Sequence, residues 1–166
     1  MKAASARESA DSAWHYPLVF LTGAAVLVLE ILGTRLIAPF YGSTIYVWSA
    51  LITTTLAALA VGYAGGGSLA DRPKPLLSLC WMLGVSGVWV LLLPFARRSV
   101  LLGLAGLGVQ TGALASAAVL FAAPLLCLGA VGPLVIRLRT RELGRLGREV
   151  GFVNSVSTVG SVIGAL

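Results

Sequence analysis

The chain has 166 residues, 58% of them hydrophobic and 11% charged, with a mean hydropathy of +0.95 and a formal net charge of +6. A soluble domain runs nearer ~45–50% apolar and ~25% charged, and a disordered segment is less hydrophobic still. Both classes are excluded. At roughly 20 apolar residues per crossing, this length provides about four to six membrane helices.

Residues 1–16 read as a polar N-terminal tail in which Lys2 and Arg7 are offset by Glu8 and Asp11. No small-x-small cleavage site closes the apolar run that follows, so a retained first span is expected rather than a signal peptide. That span is placed over 17–39, with Glu30 and Arg35 inside it. Residues 36–70 then carry no charge over 35 positions, too long for one helix across a ~30 Å core. Turn chemistry at Tyr41-Gly42-Ser43-Thr44 divides them and leaves a second helix over 46–70. The hairpin Asp71-Arg72-Pro73-Lys74-Pro75 cannot continue that helix, because its prolines remove donors. A third span over 76–96 ends at Arg97-Arg98.

Residues 99–136 are 38 uncharged positions, enough for two tight spans or for one span and a surface segment. Five of the twelve basic residues fall between Arg137 and Arg148. The positive-inside rule places that connector on the side of Lys2, Arg7, Arg72 and Lys74, which requires one span, over 114–138, after a short interfacial or re-entrant segment. Residues 139–150 become a cytoplasmic basic connector. The glycine run from Gly103 to Gly108 has neither a preceding strand nor a downstream acidic residue, so a nucleotide loop is rejected. The last segment, 151–166, reaches only ~24 Å, and the chain is expected to stop inside its fifth helix. The expected architecture is an all-α bundle of about five transmembrane helices with a cytoplasmic N-terminus, in a bacterial cytoplasmic membrane.

Few residues carry chemistry. Glu30 lies ~20 Å along the first helix, where an ionisable side chain costs several kcal/mol and points to a cation or proton site, or to a hydrogen-bond node between helices. Arg35, about 140° further round, is placed to snorkel toward the outer interface. Asn154, Ser157, Thr158 and Ser161 follow i, i+3, i+4, i+7 spacing and put a polar stripe on the fifth helix, either for packing or along a substrate path. Gly62 with Gly66 and Gly160 with Gly164 are small-xxx-small pairs that let helices approach closely, so small-residue contacts are expected among the second, fourth and fifth helices. Arg137, Arg141, Arg145 and Arg148 share one face of a basic amphipathic extension of the fourth helix, suited to anionic lipid or an acidic partner. Cys80 and Cys127 read as buried apolar residues, and His15, Trp14 and Tyr16 as an interfacial group. No nucleic-acid partner, metal or cofactor is expected; no histidine lies within a span to ligate a haem.

Several segments together carry a resemblance. Phe20-Leu21-Thr22-Gly23, Leu29 to Arg35 and Ala38-Pro39-Phe40-Tyr41-Gly42 come first. Gly62-Tyr63, Gly66-Gly67-Ser68-Leu69-Ala70-Asp71-Arg72, Gly129-Ala130-Val131-Gly132-Pro133-Leu134 and Gly151-Phe152-Val153-Asn154-Ser155 follow in order. Over residues 18–166 the chain resembles the transmembrane module of membrane-bound spermidine synthase-like proteins, which join major-facilitator-like helices to a synthase domain. Asp71 and Arg72 match the cytoplasmic loop signature of major facilitator carriers, although Pro73-Lys74-Pro75 stands where that signature continues into Gly-Arg-Arg. The resemblance implies a catalytic domain after the helices, and no segment of this sequence corresponds to it, so no catalytic residue is carried over.

Three functions are consistent with this reading. The first is a non-catalytic membrane subunit or anchor that packs against other membrane subunits or a partner. The second is a half-carrier for a small cation such as a polyamine, working as a homo-oligomer, with Glu30 and the Asn154 stripe on a central path. The third is a membrane fragment of a synthase-like protein.

Overall fold

The computed structural model describes residues 14–139 and 146–166. Among them there is no strand, and five α-helices follow in order: α1 (His15–Tyr41), α2 (Ile45–Ala70), α3 (Pro75–Leu104), α4 (Val109–Arg139) and α5 (Leu146–Gly164). The first four are long and apolar enough to cross a membrane, which makes the chain an integral membrane protein. In hydrocarbon each must satisfy its own backbone, and continuous helices do so. Short connections make successive helices antiparallel. The starts of α1, α3 and α5 therefore share one end of the bundle with the ends of α2 and α4.

The links follow local chemistry. Among the described residues Gly42 and Gly108 have positive φ, at 81° and 85°, and each stands where a helix has just ended. Pro75 opens α3 at a position where a missing N–H costs nothing. The third helix differs from the expected 76–96: it runs through Arg97 and Arg98 to Leu104. Arginine is a good helix former, and both side chains are exposed. The expected interfacial or re-entrant piece is reduced to a single 3-10 turn, Ala105–Leu107, and α4 begins at Val109 rather than near 114. The fifth helix likewise starts at Leu146, earlier than 151. The proposed amphipathic extension beyond Arg139, including Arg141 and Arg145, lies outside the described residues.

Helix α4 is the central element, packing against α1, α2 and α3 and touching α5. Two clusters of buried side chains fill the bundle. Near the Tyr41 end, Ile37, Val47, Leu51, Leu101, Leu120 and Phe121 close together. Near the Tyr16 end, Val19, Leu79, Val131, Leu134, Val135 and Val153 do the same. Tyr41 and Ser116 share a buried hydrogen bond of 3.2 Å at the first of these ends.

Candidate functional site

Glycines set how closely the helices approach. A Cβ at Gly66 would lie 2.7 Å from the Ala130 carbonyl oxygen, and one at Gly62 would meet the Leu126 carbonyl, so α2 lies directly on α4. A Cβ at Gly164 would sit 2.6 Å from the Ala24 carbonyl oxygen, and one at Gly160 would strike the carbonyl of Phe20. Gly23 in turn accommodates the backbone of Ser157. The Gly160/Gly164 seam is therefore used inside the chain, against α1. This corrects the expectation of a seam with the second and fourth helices or with a partner. The reason is parallel pairing: α1 and α5 leave the same end of the bundle, so small residues at matching heights come opposite each other.

Pairing α5 mainly with α1 leaves a cleft of about 500 Å³ beside it. Asn154, Ser157, Thr158 and Ser161 form one wall, Thr22 and Val26 of α1 the floor, Leu59 and Tyr63 of α2 the facing edge, and Gly129, Gly132 and Pro133 of α4 the far wall. The predicted stripe thus comes together on a cavity. No Asp, Glu, Lys, Arg or His lines it among the described residues. Helices α2 and α5 make little contact, so they do not close the cleft between them.

Most hydroxyls on the cleft are already engaged. Ser161 donates to the Gly23 carbonyl at 2.9 Å, which ties α5 to α1. Thr158 donates to the Asn154 carbonyl at 2.9 Å, and Thr22 to the Val19 carbonyl at 3.1 Å. These back-bonds return each hydroxyl to a helix carbonyl, the usual resolution in an apolar setting. The carboxamide of Asn154 has no such bond among the described residues and is exposed on the cleft wall.

Glu30 is not brought to this wall. It follows Val26 by one turn on the cleft-lining side of α1, beyond the cleft itself, and is half-buried. Its backbone carbonyl accepts from Thr34, but its carboxyl group has no hydrogen bond or ion pair within the described residues. Arg35 is exposed and pairs with nothing there. On α2, the buried hydroxyls of Thr54 and Thr55 also lack partners. They fall between Leu51, which packs on Gly33, and Leu59, which shares the cleft with Val26; that places them at the height of Glu30.

A second cluster, at the Tyr16 end, escaped the sequence reading. The Arg139 Nε donates to the Glu149 carboxylate at 2.9 Å, with the two side chains 9% and 26% exposed. The same guanidinium lies 3.9 Å over the Tyr16 ring and also donates to the Tyr16 hydroxyl. Tyr16 meets Phe152 edge-on at 4.9 Å. One arginine thus joins the end of α4 to the starts of α1 and α5. The available signal was its position four residues after the buried Val135, off the stripe of the other arginines. Of those, Arg137 and Arg148 are exposed, as are Asp71 and Arg72 in the hairpin.

No protein-family model, curated protein or solved structure matches the chain.

Proposed function

We propose that this chain is a non-catalytic integral membrane subunit or anchor that packs against a partner membrane protein. Glu30 carries the reading. It stands ~22 Å along α1 from His15, near the middle of a span of about 40 Å, with no partner for its carboxyl group among the described helices. An unpaired ionisable group at that depth costs several kcal/mol, and a donor supplied from outside these helices offsets it. The half-carrier reading has less behind it, because a polyamine needs counter-charge along its path and the described residues of the cleft supply none.

Charge placement supports an orientation. Arg72, Lys74, Arg137, Arg139 and Arg148 collect at the Tyr16 end, against Arg97 and Arg98 toward the other. By the positive-inside rule the Tyr16 end faces the cytoplasm of a bacterial cell, where Arg137 and Arg148 meet anionic headgroups. The resemblance to the helices of spermidine synthase-like proteins fits the same role, since in that arrangement the helices serve another domain.

The test is purification from native membranes in a mild detergent, followed by native mass spectrometry. The expected result is a second membrane protein at fixed stoichiometry, released by Glu30→Leu while the bundle stays folded. A lone monomer, or an assembly indifferent to Glu30→Leu, overturns the proposal.

A further inference from the structure

Two prolines interrupt α4, and their consequences differ. A proline has no N–H for the carbonyl one turn before it. Pro124 deprives the carbonyl of Leu120, and the indole of Trp89 takes up that oxygen at 2.9 Å. Pro133 deprives the carbonyl of Gly129, and no side chain of the described residues donates to it. Gly129 and Pro133 both line the cleft beside α5. Across from them stands the unengaged carboxamide of Asn154. A backbone acceptor left without its usual donor inside a membrane is costly, and a donor from the cleft would relieve it.

We infer that this cleft is a binding site for an uncharged lipid bearing a free hydroxyl, which donates to the Gly129 carbonyl and accepts from Asn154. Four observations define the ligand class. Among the described residues the site has no ionisable group other than the Tyr63 phenol, so a charged headgroup would find no counter-ion on them. It is left unclosed between α2 and α5 in a bundle whose first four helices suit a membrane, which favours a lipid-soluble molecule. Its remaining surface, including Val26, Leu59 and Ile136, is apolar and suits hydrocarbon. Its volume, about 500 Å³, falls in the range of small-molecule sites. The inference does not rest on the subunit reading: a bound lipid is compatible with a lone chain or an assembly.

Gly132 provides the test, because it lines the cleft and a Cβ there meets nothing within 4 Å, so a larger side chain starts from open space. The purified full chain in detergent is titrated with 1,2-dioleoylglycerol and the bound fraction is read by native mass spectrometry. Two analogues run beside it: the 3-acetyl ester, which has lost the hydroxyl, and dioleoyl phosphatidic acid, which replaces it with a charged phosphate. The wild type is expected to hold dioleoylglycerol and to bind both analogues roughly tenfold more weakly, the scale of one buried hydrogen bond. Gly132→Leu should lower dioleoylglycerol binding by at least about that factor, and Pro133→Ala, which returns an N–H to the Gly129 carbonyl, by a few-fold. Should Gly132→Leu fail to fold, Asn154→Leu on the opposite wall is read in its place. Equal binding of the three lipids overturns the inference, as does unchanged binding by the cleft-filling variant. Loss of a protein partner from Gly132→Leu with no effect on lipid would assign the cleft to a helix of that partner, and also overturns it.

Discussion

Trp89 on α3 donates its indole N–H to the carbonyl oxygen of Leu120 on α4, 2.9 Å away, at the one place where Pro124 leaves that oxygen without a helical donor. One turn before Trp89 on the same face of α3, the hydroxyl of Ser86 donates to the carbonyl of Pro124 at 3.4 Å. The proline break thus becomes the site of attachment for a neighbouring helix. Without it α3 would keep only the Ser86 bond and apolar contacts against α4, and lipid tails compete well for the latter.

Trp89→Phe keeps most of the ring and removes the donor. It should destabilise the bundle by about 0.6–2 kcal/mol, the range found for hydrogen bonds between membrane helices. Pro124→Ala restores an N–H to Leu120 and should make the loss of Trp89 nearly harmless. Cys127 is buried and Cys80 exposed, so maleimide labelling of Cys127 in a Cys80→Ser background reports unfolding during a denaturant titration. An equal cost of Trp89→Phe with and without Pro124 would show that the indole acts through packing only.

Arg139 supplies a second attachment, and its contacts can be separated. Tyr16→Phe retains the ring under the guanidinium and removes only the hydroxyl, whereas Arg139→Met removes the charge from both Tyr16 and Glu149. Because the arginine is largely sheltered, its loss should exceed the ~0–1 kcal/mol of an exposed pair. The expected signature is local: amide exchange speeds up by roughly tenfold over the first two turns of α5 with Arg139→Met and less with Tyr16→Phe, while the centre of α4 is unaffected. Exchange that rises equally throughout the bundle would place Arg139 in global stability instead.

The helical class could be read directly, since composition and charge-free length leave no other way to satisfy a backbone in hydrocarbon. The glycine pairs were also visible as packing positions, and Gly62 and Gly66 do lie on α4. What spacing could not reveal was the partner of each face. Gly160 and Gly164 would suit any helix with small residues at the right height, and only the assembled bundle sets Phe20 and Ala24 there. The polar stripe was legible for a similar reason, and the cleft was not, because its far wall comes from Gly129, Gly132 and Pro133 on a helix remote in sequence. Charge counting worked against Arg139: grouped with its neighbours it looks like one more solvated cation. The end of α3 was misplaced because a pair of arginines was treated as a boundary, whereas the chain needed a glycine turn to stop.

The α1–α5 seam separates an internal role for the glycines from a docking role. Gly160→Leu should push α5 off α1, because the Phe20 carbonyl occupies the space a side chain needs and cannot move without disturbing α1 itself. Gly164→Leu should act in the same direction but more weakly, since Gly164 is the last residue of α5 and helix ends fray readily. Gly151→Ala meets nothing within 4 Å, so it should be neutral or stabilise α5 by up to about 1 kcal/mol through helix propensity. Amide exchange along α5 reads all three in order: fast for Gly160→Leu, intermediate for Gly164→Leu and unchanged or slower for Gly151→Ala. If Gly160→Leu left that exchange untouched while releasing a partner protein, the seam would lie between chains and the packing of α5 on α1 would be wrong.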